Sequence, residues 1–166
     1  HSDAAALSVL SGFLRNGYLH RAIREQGGAY GGGAQYEPDI AAFRFYSYRD
    51  PRLSETLEDF DRSVVWLLSE VHDPRMLEEA ILGVVASIDK PSSPAGEAKE
   101  AYYSALFGRS PERRARFREQ VLKVSLDDLR RVTETYLKPE SASTAVITNP
   151  ATYEQCGDMG MVVHKL

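Results

Sequence analysis

The sequence has 166 residues, 43% of them hydrophobic and 27% charged, a balance that excludes a disordered chain and can bury one sizeable core. A net charge of −4 argues against nucleic acid as the main partner, because phosphate binding needs a basic surface. A single cysteine, Cys156, excludes an intrachain disulfide and a Cys-x-x-Cys zinc site, and no apolar run approaches the roughly 18–20 residues that span a bilayer.

The chain begins at His1 and goes almost directly into a helical pattern, which reads as a piece cut from something longer. Residues 3–23 predict a helix: Leu7, Leu10, Leu14 and Tyr18 recur at spacings of three and four, and Leu19, Ala22 and Ile23 extend the set. Gly17 predicts a bend or break. Five of the twelve glycines then fall at positions 27–33, around Ala29 and Tyr30. Strand-like sequence follows from Tyr30 to Glu37, a turn at Pro38-Asp39, and a well-alternating strand from Ala42 to Arg49, which together predict an antiparallel pair. In the second strand Phe43, Phe45 and Ser47 share one face, and Arg44, Tyr46 and Tyr48 the other.

The next stretch is helical. Ser54 reads as the cap of a helix with Leu57, Phe60, Val64, Leu67, Leu68 and Val71 inward. Asp73-Pro74, Ser93-Pro94 and Ser110-Pro111 each pair a capping side chain with proline at the first helical position. The helices they open place Leu77, Ile81, Val84, Val85 and Ile88 inward, then Ala98, Ala101, Tyr102, Ala105 and Leu106. Arg109, Arg113, Arg114, Arg116 and Arg118 are interrupted by Glu112 and Glu119 and read as a solvated face. Ser125 to Asp128 resembles a capping box ahead of Leu129, Val132 and Tyr136. Residues 143–148 are β-prone, residues 151–166 irregular, and Met161–His164 a candidate last strand. The predicted class is α+β, with helices packed on one side of a small, mostly antiparallel sheet and with strands missing before His1.

Few chemical constellations survive inspection. The glycine run fits no G-x-G-x-x-G register, and it follows a helix C-terminus, the negative end of the dipole, which is the wrong place for phosphate. His1, His20, His72 and His164 lie far apart, with no H-E-x-x-H or H-x-x-E-H. Of these His72 reads as a helix-end residue, and His20, just before the glycines, is the one to watch. Cys156 has no histidine partner in the pattern and reads as an inert thiol. Arg24 and Tyr30 remain. A phenol donates a hydrogen bond without carrying charge, and a guanidinium is a fixed fork of donors; both suit a carbonyl oxygen that gathers negative charge. Neither can generate a nucleophile. On physical grounds alone a helix C-cap and glycine turn without chemistry explains the run at least as well.

The segment Leu14 to Gly31, with Arg24-Glu25-Gln26-Gly27-Gly28-Ala29-Tyr30-Gly31 at its end, resembles the C-terminal half of the pitrilysin/insulinase family of zinc metallopeptidases. Within it the presequence-protease-like subfamily is most similar. Phe45-Tyr46-Ser47-Tyr48-Arg49-Asp50-Pro51, followed by Thr56-Leu57 and Phe60, resembles the same subfamily, and the helix order continues the likeness to about Asn149.

The resemblance implies a LuxS/pitrilysin-type α+β domain, residues 1–166 forming most of the last domain of a longer multidomain endopeptidase. It implies catalytic roles for Tyr30, as donor to the scissile carbonyl oxygen, and for Arg24, holding the substrate backbone and orienting Tyr30. Gly28, Ala29 and Gly31 would lie against bound peptide. Zinc would belong to the intact enzyme, in an N-terminal half of the same polypeptide, and none would be bound by this chain, which would be inactive alone. The substrate would be short, unfolded peptide, with no nucleic-acid or membrane partner. The alternatives are a non-catalytic structural or substrate-presenting subunit of the same fold, or a peptide-binding module. The expected compartment is the bacterial cytoplasm, with an organelle matrix as the alternative.

Overall fold

In the computed structural model residues 1–157 and 159–164 are described. Helix α1 spans Ala4–Leu14 and runs without interruption into a π-helix, Arg15–Gln26. Strands β1, Gly31–Glu37, and β2, Ala42–Tyr48, pair antiparallel in the register Gly31↔Tyr48, Gly33↔Tyr46 and Tyr36↔Phe43. Six α-helices follow: α2 Ser54–Ser69, α3 Pro74–Ile88, α4 Pro94–Leu106, α5 Pro111–Leu122, α6 Leu126–Tyr136 and α7 Pro150–Cys156.

The class is α+β, as expected. Helix α1 is the centre: it packs on β1, α3, α5 and α6, and its Val9, Leu10, Phe13 and Leu14 are fully buried. The π-helix covers β1 and α2. Between Leu7 and Leu14 the core positions recur at three and four residues; beyond it they fall at Leu14, Leu19 and Ile23, spacings of five and four. The wider spacing suits i→i+5 hydrogen bonding and keeps the apolar stripe on one side. The expected break at Gly17 therefore takes another form. A Cβ on Gly17 would lie 2.5 Å from the Trp66 ring and 2.7 Å from Met76 Cε, so this glycine admits its neighbours.

The caps behave as the sequence predicts at Asp73, Ser93, Ser110 and Ser125; each side chain accepts a backbone N–H of its own first turn, and Ser125 and Asp128 form the full reciprocal box. Ser54 is different. It is the first residue of α2, which has no side-chain cap. The most buried positions of α2 are Thr56, Asp59, Ser63 and Leu67, while Leu68 and Val71 are exposed. The apolar stripe holds in part, with Leu67 fully buried and Phe60 packed on the core, and polar pairs share the face: Thr56 donates to Asp50 at 2.7 Å, and Arg52 donates to Asp59 at 3.1 Å.

Three further expectations are corrected. Residues 142–148 and 161–164 form no strand; Ile147 is 92% exposed, so this β-prone segment has no ladder among the described residues to join. Residues 150–156 form α7, capped by Asn149 with Pro150 at the first position, the same device read correctly at Asp73. Helix α4 buries none of its residues, and Tyr102 and Leu106 are exposed, although its sequence carries an apolar stripe. The arginine cluster of α5 is solvated as predicted, with Arg114 paired to Glu100 and Arg118 to Asp89.

Asp3 ties the start of the chain to α6. Its carboxylate accepts from Arg131 and from the Tyr136 hydroxyl, each at 2.8 Å. The Arg131 bond first, then the Tyr136 bond, hold the Asp3 carboxyl below its ordinary value, and the same contact with Asp3 raises the Tyr136 phenol. A lowered folded value stabilises above the ordinary carboxylate pKa and is lost as pH falls through the folded value; a raised one is lost as pH rises through it. Asp3→Asn is therefore expected to flatten the fall in urea stability below about pH 4, and to advance no alkaline loss below about pH 10. An acid limb identical to that of the unaltered protein would exclude this contribution.

Candidate functional site

The glycine run joins the π-helix to β1, and its geometry follows from close packing. Gly27 N–H caps the helix on Arg24 O. Gly28 takes φ +80, a left-handed conformation that glycine adopts without strain, and turns the chain. Ala29 then donates its N–H to Ile23 O at 3.1 Å and buries its methyl in the core. A Cβ on Gly31 would lie 2.5 Å from the Tyr48 ring, and one on Gly32 would lie 2.8 Å from Ile23 Cγ2. The missing side chains thus make room for this protein's own Tyr48 and Ile23. Of the three residues expected to meet peptide, Ala29 is turned to the core, Gly31 is covered on its side-chain face by Tyr48, and a Cβ on Gly28 would meet only Pro51 Cγ, at 3.6 Å.

Tyr30 stands at the end of this turn. It is 62% exposed, and its ring lies 5.7 Å from that of Tyr48. Its N–H donates to Arg49 O at 3.3 Å, and the Arg49 guanidinium sits 5.2 Å from its ring centroid. Tyr46 and Tyr48 are exposed on the same outer face of the hairpin, with Arg44, while Phe43 and Phe45 turn inward, where Phe45 stacks on Phe60. This is the alternation read from the sequence.

Arg24 lies on the last turn of the π-helix, where its charge complements the negative dipole end. Its Nη1 is 3.5 Å from His20 Nε2, and His20 Nδ1 is 3.3 Å from Glu25 Oε1. A guanidinium only donates, so the contact with Arg24 uses Nε2 as acceptor. The structure thus brings Arg24 to His20, four residues back on the same helix, and not to Tyr30. The cation on Tyr30 is Arg49. Sequence reasoning quoted Arg49 inside a motif and assigned it no role; a strand pattern would have turned it inward beside Ser47.

The turn that carries Arg49 is tied down from several sides. Asp50 accepts from Ser47 Oγ at 2.5 Å, from Thr56 Oγ1 at 2.7 Å and from Arg52 N–H at 3.0 Å. Arg52 in turn donates to Asp59 at 3.1 Å and to Ala22 O at 3.3 Å, joining the π-helix, the β2 end and α2.

The residues present do not fit a zinc site. His72 is buried, its Nε2 3.0 Å from Leu67 O and its ring against Trp66 and Phe13. His20 faces a cation. Among the described residues no group of three or more His, Cys, Asp or Glu could hold a metal ion. A shallow hollow of about 490 Å³ lies between Asp39 of the hairpin loop, Lys99 and Tyr103 of α4 and Phe107 just after it, and it includes neither Tyr30 nor Arg24. No helix among the described residues is long and apolar enough to cross a membrane.

Residues 3–148 match the family model described as the PreP C-terminal domain. The presequence protease of Yarrowia lipolytica is 40% identical over 148 residues, that of Saccharomyces cerevisiae 41% over 148, each match covering 89% of this chain and 15% of the relative. The mouse presequence protease is 38% identical over 135 residues, 81% of this chain and 13% of the relative. The chain thus spans about 15% of the length of the curated relatives it matches. All three relatives are named as mitochondrial, and none of them supports the expected bacterial cytoplasm.

Proposed function

Because this chain belongs to the PreP C-terminal domain family, we propose that it is the substrate-clamping last domain of a longer zinc-dependent endopeptidase, working in an organelle matrix on short unfolded peptides. The observation that carries the reading is Tyr30: an uncharged donor, exposed at a turn fixed by Gly28 and by its bond to Arg49 O, on the protein's outer aromatic face. Its hydroxyl suits the oxygen of a scissile carbonyl as charge develops there. Arg24, exposed one turn before the glycines, suits a peptide carbonyl or C-terminal carboxylate, with His20 and Glu25 steadying it. Gly28, exposed at the turn, offers backbone to the same peptide, while buried Ala29 anchors the turn to the core. The metal and the attacking water belong to another part of the polypeptide, because the side chains here supply neither.

The reading predicts that the full-length polypeptide cleaves an unstructured peptide of about 20 residues, whereas residues 1–166 alone neither cleave it nor bind it at millimolar concentration. Mass spectrometry follows the cleavage and calorimetry the binding. Cleavage or micromolar binding by the isolated chain would favour a self-sufficient peptide module. A full-length polypeptide that folds and cleaves nothing would favour a structural subunit.

A further inference from the structure

We propose that Arg49 is the positioning residue for Tyr30, the part that sequence resemblance gives to Arg24; this rests on the reading of Tyr30 as donor to the scissile carbonyl. Two contacts join the two residues, and a third holds the ring from the side. The Arg49 carbonyl accepts the Tyr30 N–H, its guanidinium lies 5.2 Å from the ring centroid, and its neighbour Tyr48 holds the ring at 5.7 Å. A cation on a phenol face restrains the whole ring: χ1 places the hydroxyl oxygen, which lies on the ring's long axis, and the ring plane sets the direction of its O–H.

The backbone shows what this arrangement costs. Arg49 has φ +48, a left-handed conformation uncommon for a residue with a Cβ. Regular continuation of β2 would put Arg49 on the inner face with Ser47 and away from Tyr30. The left-handed turn breaks the alternation at this residue, and Arg49 reaches Tyr30 instead. The next residue anchors the turn: the Asp50 carboxylate takes donors from Ser47, Thr56 and the Arg52 backbone. A left-handed arginine followed by a residue fastened by three hydrogen bonds, with its guanidinium on an exposed tyrosine, is accounted for by the contact its side chain makes. Arg24 makes no such contact, being engaged with His20.

The test compares Arg49→Gln, Arg49→Lys and Arg49→Gly in the full-length enzyme, beside Tyr30→Phe. Glycine adopts φ +48 without strain, so Arg49→Gly keeps the turn while removing the whole side chain, and Arg49→Gln keeps most of the stem while removing the charge. Arg49→Gln and Arg49→Gly are expected to lower kcat about 5–10-fold with KM within about twofold, and Arg49→Lys to recover part of the loss. Tyr30→Phe combined with Arg49→Gln is expected to turn over no more slowly than Tyr30→Phe alone. Normal kcat in Arg49→Gly beside an impaired Tyr30→Phe would overturn the positioning role and leave the reading of Tyr30 intact. A loss that adds in full to that of Tyr30→Phe would overturn it too. Normal turnover in Tyr30→Phe itself would remove the oxyanion role, and the inference with it.

Discussion

Tyr30→Phe in the full-length enzyme is expected to lower kcat about 10²-fold, the loss seen when one oxyanion donor is removed, with KM little changed. The substitution deletes a single O–H. The ring remains, so the contact with Tyr48 and the Arg49 guanidinium over its face remain as well. Among the described residues the hydroxyl bonds no protein group, so folding stability should be unchanged within about 0.5 kcal/mol. The effect belongs on kcat because the charge that the hydroxyl meets exists only as the carbonyl is attacked. Steady-state peptide cleavage and a thermal melt of the same preparation separate the two. Turnover equal to the unaltered enzyme would take Tyr30 out of the mechanism.

The largest effect on stability is expected at Asp59. Its carboxylate is buried, with Arg52 at 3.1 Å and Arg62 at 3.7 Å. Truncation to alanine leaves Arg52 with a desolvated guanidinium held only by Ala22 O. Removing one partner of a buried pair costs about 3–5 kcal/mol; Arg52 keeps a quarter of its surface, so about 2–4 kcal/mol is expected, or about 4–15 °C in Tm. Arg52→Met in the same background should return part of the loss, because no charge is then left unpaired. A Tm within about 1 °C of the unaltered protein would show that Arg52 finds water instead. Arg52 also joins the π-helix to the turn after β2, so the same variant should loosen the setting of Arg49 and Tyr30.

Most local signals read from the sequence survive, Ser54 excepted, because their determinant is itself local. Asp73, Ser93, Ser110 and Ser125 cap their helices because a short polar side chain reaches the N–H groups two or three residues on. The alternation of Ala42 to Tyr48 fixes which residues face the core, because the period of a strand is two. Leu7, Leu10, Leu14, Leu19 and Ile23 mark the central helix for the same kind of reason. The resemblance carried by residues 14–31 and 45–60 indicates the family before any coordinates.

Other features belong to the tertiary structure alone. The switch to a π-helix at Arg15 answers the surfaces of β1 and α2, which local sequence does not contain. Burial of Asp59 and Thr56 depends on Arg52 and Asp50 arriving from another segment. Residues 142–148 show the converse, strand propensity without a neighbouring strand among the described residues, and propensity alone makes no ladder. The site divides in the same way. Arg24 and Tyr30 are legible as residue types at a spacing. Their separation into two units, Arg24 with His20 and Tyr30 with Arg49, is decided by a left-handed residue at the end of β2, and a single backbone angle of that kind leaves no pattern in the chain.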